Sequence, residues 1–238
     1  MKLVGYLMQY NESERGNLHR CLENLSMFCD EIVVYDDGST DDSLDVIRQY
    51  TDHVIEGNRN DFLHETAHRQ QLLELALTLD PEYIFWLDAD EIVSIAGVVG
   101  GVRKLCASGV SWSFPEVTLW RSTAYKRTDY LGAGRFTRLW KNTGGLSIPI
   151  QAGLHQQLFP GGLGEVQKSG IDVIHYGYAT KEAIERRWHE RTRLGVPVDF
   201  RKNGVDERNM VLEPYSSYNF PKPRPQTYSP DIMKEAGL

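Results

Sequence analysis

Two pairs of carboxylates have the type and spacing to do chemistry. Asp88 and Asp90 flank Ala89 in LDADE. In extended chain, residues i and i+2 project to one side, and two oxygen ligands placed so suit a hard divalent cation, one binding directly and its neighbour through water. An acidic D-x-D also arises by chance in solvated loops, but this one follows Tyr83 to Leu87 (YIFWL), the most apolar strand-like run of the chain. The competing account is that Asp90 or Glu91 caps a following helix. The second pair, Asp36-Asp37, opens DDGSTDD directly after Glu31 to Tyr35 (EIVVY). A carboxylate there could accept from a base imide or a ribose hydroxyl, and Gly38 lets backbone turn closely around a ligand. Helix capping by Thr40, with Asp41 and Asp42 at the positive end of the dipole, accounts for the rest of the motif.

Both pairs depend on the elements that carry them. Lys2 to Met8 reads as a strand, Leu18, Cys21, Leu22, Leu25 and Phe28 mark one face of a helix, and EIVVY is a strand buried on both sides. A helix with Leu44, Ile47 and Tyr50 inward, a short strand at His53 to Ile55 and a helix over Glu65 to Leu79 follow. The last of these has Leu72, Leu75, Ala76 and Leu79 inward and stops at Asp80-Pro81, before YIFWL. This alternation specifies an α/β fold with a mostly parallel sheet covered on both faces. Right-handed crossovers put the C-terminal strand ends, and so both acidic pairs, at one edge, where ligands of such sheets bind. Further on, Val110 to Trp120, Arg135 to Lys141 and Ile171 to Tyr176 read as strands, and Thr180 caps a helix reaching Leu194. Five of the ten prolines lie between Pro214 and Pro230. The expected organisation is one domain over 1–212, in two parts (1–95 and 96–212), followed by a Pro-rich tail (213–238).

Asn11-Glu12 after the first strand, EIVVYDDGSTDDS at the second and LDADE at the fourth resemble the nucleotide-binding half of glycosyltransferase family 2, which has the GT-A, Rossmann-like fold. The LDADE form further resembles short bacterial transferases that build lipopolysaccharide core and related surface glycans. The resemblance covers roughly residues 2 to 95 and implies inverting transfer of a sugar from a nucleotide-diphosphate donor to a glycan, lipid-linked or other hydroxyl acceptor. It makes residues 1–95 a nucleotide and metal half and residues 96–212 an acceptor half. It implies a nucleotide-sugar site of Asn11, Glu12, Asp36, Asp37, Arg69, Asp88 and Ala89, and Mn²⁺ or Mg²⁺ on Asp88 and Asp90. Arg69 is otherwise an exposed helical arginine. A late histidine completes the metal shell in such folds; His175 in VIHYGY matches better than His155, which is followed by Gln156 where relatives carry Glu. Inverting transfer needs a carboxylate to take the acceptor proton. Glu116, Glu91 and Asp129 are candidates, with Glu116 preferred. Arg135, Arg138 and Lys141 could meet the diphosphate or form a solvated strand face. Arg186, Arg187, Arg191 and Arg193 could meet an anionic lipid or glycan, or sit on a solvated helix laced with ion pairs.

Composition bounds these readings. With 238 residues, 41% hydrophobic and 25% charged, the chain is an ordinary globular one, neither disordered nor collagen-like. Its net charge of -7 divides into -14 over residues 1 to 95 and +7 over the rest, so the two parts meet different things or simply attract each other. Basic residues mixed with acids argue against nucleic acid as a partner. No apolar run reaches the roughly 18 to 20 residues of a membrane span, so any membrane contact is expected to be peripheral. Three cysteines at unpatterned spacing fit a reducing cytoplasm. The alternatives to a transferase are a metal-dependent phosphohydrolase using D-x-D, and a non-catalytic nucleotide-sugar-binding protein.

Overall fold

Four apolar runs form the parallel strands β1 (Leu3–Gln9), β2 (Glu31–Asp36), β3 (Val54–Glu56) and β4 (Tyr83–Asp88) of the computed structural model, which describes residues 1–128, 134–153, 156–193 and 212–215. Their order is β3-β2-β1-β4. The crossovers are the helices α1 (Asn17–Ser26), α2 (Ser43–Ile47) and α3 (Glu65–Thr78). Strand parity sorts the core into two layers. Leu3, Leu7, Ile32, Val34, Phe85 and Leu87 face Leu18, Cys21, Leu22 and Leu25 of α1. Val4, Tyr6, Met8, Val33, Tyr35, Ile84 and Trp86 face Leu72, Leu73 and Ala76 of α3. Burial on both faces is why these strands show no polar alternation.

The chain continues through β5 (Glu91–Val93), α4 (Ile95–Val98), α5 (Gly101–Cys106), β6 (Ser111–Thr118), β7 (Tyr125–Arg127), β8 (Arg135–Lys141), β9 (Val166–Lys168), β10 (Val173–His175), α6 (Lys181–Arg193) and β11 (Leu212–Pro214). Beyond β4 the sheet runs β8-β6-β10-β5, with β9 beside β6. β8 is antiparallel to β4 and β6, β10 is parallel to β6, and β5 is antiparallel to β10. β4 and β5 are consecutive in the chain yet have three strands between them in the sheet. Four strand spacings amount to about 19 Å along a flat sheet, whereas the chain from Asp88 to Glu91 spans at most about 10 Å. The sheet must therefore curl, and the curl carries β8, β6 and β10 under the Asp88 to Glu91 turn.

Two expectations are corrected. Thr40 does not cap α2, which begins at Ser43 without a side-chain cap. Instead Thr40 donates its N–H to Asn11 Oδ1 at 2.8 Å and accepts from Asn11 Nδ2 at 3.2 Å, so its polar groups tie β1's loop to β2's. The tail expected from residue 213 starts inside β11, which pairs antiparallel with β7; residues 216–238 lie outside the described residues. Thr180 does cap α6, accepting from Ala183 N–H at 3.1 Å. Among the described residues no helix is long and apolar enough to cross a membrane.

Candidate active site

The ends of β1 and β2 are knitted together by side chains. Asp36, buried, accepts from Gln9 Nε2 and, at 2.9 Å, from Ser39 N–H, which commits its carboxylate to the loop. Asp37 is also fully buried. Its Oδ2 accepts from Asp61 N–H (2.8 Å) and Asn60 Nδ2 (3.2 Å), while Oδ1 makes no hydrogen bond and lies 3.3 Å from His68 Nδ1, itself without one. The His68 ring stacks on Tyr35 at 4.6 Å. Burial, with Asp61, Asp36 and Glu65 nearby, pushes the Asp37 carboxyl up to about 7. Asn11 holds positive φ and bridges to Thr40, and Glu12 accepts from Asn17 Nδ2 at 2.8 Å and pairs with Arg15.

The LDADE turn is held from every side. Glu91 accepts from Asp88 N–H at 2.8 Å through one oxygen and from Arg138 Nη2 through the other. Asp90 C=O accepts from Tyr176 N–H at 2.8 Å, and Asn24 of α1 exchanges two hydrogen bonds with the Val93 backbone. The alternative that Asp90 or Glu91 caps a helix is thereby excluded; the residue before α4 is Ser94. Asp88 accepts from Arg69 Nη2 at 2.8 Å and stands 4.0 Å from Arg138 Nη1, with its side chain 38% exposed. Arg69 and Arg138 both lie over the Trp86 ring, 4.7 and 4.1 Å from its centroid, and each keeps a buried Nη1 without a hydrogen bond. Arg69 is buried and paired also with Glu65, so it is not an exposed helical arginine.

Curling of the sheet brings β6 and β10 to this turn. Glu116 accepts from Thr118 Oγ1 at 2.9 Å, and its carboxylate lies 3.7 Å from Arg138 and 3.6 Å from His175 Nδ1. His175 Nε2 lies 3.3 Å from Asp90 Oδ2 and 3.2 Å from Arg187 Nη2, and Arg187 donates to Asp90 Oδ2. Gly177 sits against this cluster. A Cβ on it would stand 2.6 Å from both Asp90 Oδ2 and His175 Nε2 and would collide with Arg187.

Charges pull the titrating groups apart. Burial works against ionisation of Asp90, yet Arg187 and His175 hold it well below the usual carboxylate range. Burial likewise opposes ionisation of Asp88, but Arg69 and Arg138 outweigh it and hold the carboxyl below its usual range. Burial disfavours the imidazolium of His175, but Asp90 and Glu116 outweigh it and carry His175 up to about 9. Glu91 goes the other way: burial, reinforced by Asp88 and Glu116, raises it to about 8 against the pull of Arg138.

Among the described residues no three carboxylate, imidazole or thiol groups converge as a ready-made metal cage. A cation that keeps water and substrate phosphates needs only one or two carboxylates from the protein. Asp90 Oδ2, converging with His175 Nε2 where Gly177 leaves room, with Asp88 two residues away and partly exposed, suits Mn²⁺ or Mg²⁺, and His175 would join as a ligand of Mn²⁺ once it gives up its proton. The residues therefore fit the ion.

The sequence-predicted residues Glu116, Glu91, Asp88, Asp90, Arg69 and His175 come together here. Ala89 is buried inside the turn, and Asp36, Asp37, Asn11 and Glu12 line the adjoining β1 and β2 ends. His155 and Asp129 lie outside the described residues. Arg135, Arg138 and Lys141 do not share a face. Arg135 donates to the Ser113 and Ser169 carbonyls, while Arg138 turns into the buried network, because positions i and i+3 of a strand point oppositely. Gln9, His68 and Gly177 were missed as site residues, and Arg187, singled out for an anionic lipid or glycan or a solvated helix, was not placed against Asp90.

A family model described as glycosyl transferase family 2 matches residues 8–150, more than half of the chain. The chain belongs to glycosyltransferase family 2. Its mixed, curled α/β sheet is accordingly the GT-A fold, and membership of this family takes support away from the phosphohydrolase alternative. Among curated relatives, the SPbeta prophage-derived glycosyltransferase SunS of Bacillus subtilis (strain 168) is 35% identical over 91 residues, 37% of this chain and 20% of the relative. Glycosyltransferase SunS of Bacillus phage SPbeta matches to the same extent. The chain thus spans a fifth of the length of these relatives. Among solved structures, S. aureus TarS 1–349 is 20% identical with a TM-score of 0.38, covering 52% of this chain and 36% of that one. The mannosyltransferase PcManGT from Pyrobaculum calidifontis, in complex with GDP-Man and Mn²⁺, is 19% identical with a TM-score of 0.36, covering 50% and 36%.

Proposed function

We propose that the protein moves a sugar, with inversion, from a nucleoside diphosphate donor to a hydroxyl of a glycan or lipid-linked acceptor, with Mn²⁺ or Mg²⁺ in the site. The observation that carries this reading is the convergence of Asp88, Asp90, His175 and Glu116 under one turn at the C-terminal edge of the parallel strands. Asp37 rather than Asp36 would contact the base, because its Oδ1, buried beside His68, accepts no hydrogen bond and would become available once His68 shifts, whereas both oxygens of Asp36 are used. Asp88, Asp90 and His175 would hold the cation, which when bound stabilises charge on the departing diphosphate.

Glu116 takes the acceptor proton as the acceptor oxygen attacks the anomeric carbon from the face opposite the leaving group. It is 14% exposed, and His175 and Arg138 fix its orientation. Glu91 is unsuited to that task, since Arg138 and Asp88 N–H occupy its two oxygens; in this reading it holds the turn in shape. The free thiols of Cys21, Cys29 and Cys106 support a reducing, cytoplasmic setting, and a surface glycan built there is the acceptor class proposed.

Calorimetric titration of Mn²⁺ with a panel of nucleoside diphosphates tests the reading. Wild type is expected to bind one nucleotide selectively and only with metal, and Asp88→Ala/Asp90→Ala to lose that dependence. Unchanged metal-dependent binding in the double variant would overturn the site. Metal-dependent hydrolysis of the matching donor, slowed by Glu116→Gln, separates a catalyst from a binding module.

A further inference from the structure

Three guanidinium groups meet the carboxylates of the turn, and they are held differently. Arg69 and Arg138 are buried, lie against Trp86 and are each shared between two or more carboxylates, so neither can leave without exposing buried charge. Arg187 reaches in from α6, is 27% exposed and, among the described residues, has only Asp90 as a salt-bridge partner, with His175 beside it and the Tyr178 ring 5.0 Å away. Its Nη2 lies at the point where Asp90 Oδ2 and His175 Nε2 converge, and Gly177 keeps that point clear of a side chain.

We propose that Arg187 is an internal counter-cation of the donor site, occupying the place of the divalent ion at Asp90 and His175, so that ion binding must displace it. This rests on the metal-dependent reading above and goes beyond it by assigning what sets cation affinity. Two like charges cannot share one carboxylate oxygen in a partly buried site without strong repulsion. In the absence of the ion, Arg187 adds to His175 in neutralising the buried Asp90 carboxylate, which also has Glu12 and Asp88 in its neighbourhood. Once displaced, the guanidinium still has the charge of Glu12 near it, and the exposed side of α6 gives it room to move.

The test is Mn²⁺ binding without nucleotide, read from the loss of the aqueous Mn²⁺ spin-resonance signal, for wild type, Arg187→Met and Arg187→Lys. Removing the competing charge in Arg187→Met is expected to tighten Mn²⁺ binding by about tenfold or more, whereas Arg187→Lys, which keeps the charge, stays close to wild type. Arg187→Gln, which keeps a hydrogen bond to Asp90 without the charge, is expected to behave as Met does and serves if the Met variant does not fold. Binding that is equal or weaker in the neutral variants, or as tight in Lys as in Met, would overturn the role of Arg187 while the metal site stands on wild-type binding. Absence of Mn²⁺ binding in wild type and in every variant would overturn both.

Discussion

Asp37 shows how burying a single carboxyl makes stability depend on pH. Its carboxyl, ordinarily near 3.8, is raised to about 7 in the fold by burial, so the folded state holds the proton more tightly than the unfolded one. The stability it contributes is complete below its ordinary value and is lost as pH rises towards 7. Asp37→Asn keeps an acceptor for Asn60 and Asp61 and offers its amide to His68 Nδ1. It is expected to raise the urea midpoint relative to wild type at about pH 8, with the difference shrinking towards about pH 5; a pH-independent difference would refute this linkage. Arg138 is the opposite case, a buried cation with Glu91, Glu116 and Asp88 around it. Arg138→Met should cost about 3 kcal/mol by removing the cation shared by Glu91, Glu116 and Asp88, and adding Glu91→Gln should recover part of that loss in a double-mutant urea series. The carboxylates of both motifs were legible in the sequence because each follows an apolar strand. His68 was not, and Arg138 and Arg187, though singled out as basic candidates, could not be placed against these carboxylates, because each is defined by a partner many residues away.

At the scale of elements, legibility follows length and burial. β1, β2 and β4 carry continuous apolar runs and α1 a clear 3.6-residue face, so their places could be read directly. α3 was placed correctly, but its buried stripe runs on through polar Thr66 and Arg69, a continuation that hydrophobic periodicity cannot report. The three-residue strands β5, β7 and β9 have no readable period and exist only through their pairing partners. β5 owes its position to Asn24, whose side chain accepts from Val93 N–H at 2.8 Å and donates to Val93 C=O at 3.0 Å, replacing a neighbouring strand with a helix side chain. Asn24→Ala strands two backbone groups and is expected to cost roughly 2 kcal/mol or more. Because β5 closes the LDADE turn, the same variant should lose Mn²⁺ affinity, measured alongside thermal unfolding. A loss of stability with unchanged Mn²⁺ affinity would show that the turn does not depend on this tie.

For the whole molecule, the -14 and +7 halves of the sequence turn out to be joined at the site. Asp88, Asp90 and Glu91 come from the acidic half, and Arg138, His175 and Arg187 from the basic one. Attraction between the halves, one of the two readings of the charge asymmetry, is therefore realised as a specific buried network. The exposed pairs that remain, such as Arg48 with Glu56 and Lys181 with Glu185, are of the kind that contributes little. Salt separates buried pairing from a diffuse surface field, because counterions screen exposed charges over about 10 Å at 0.1 M but reach buried ones poorly. Raising KCl from about 0.05 to about 0.5 M is expected to change unfolding stability by less than about 1 kcal/mol. Over the same range Mn²⁺ affinity should fall several-fold, since an entering ion approaches through solvent along the acidic strand-end edge and feels the screened field. A large loss of stability with salt would instead assign the attraction between the halves to their surfaces, and the buried network would then be too weak an explanation for how this sheet keeps its curl.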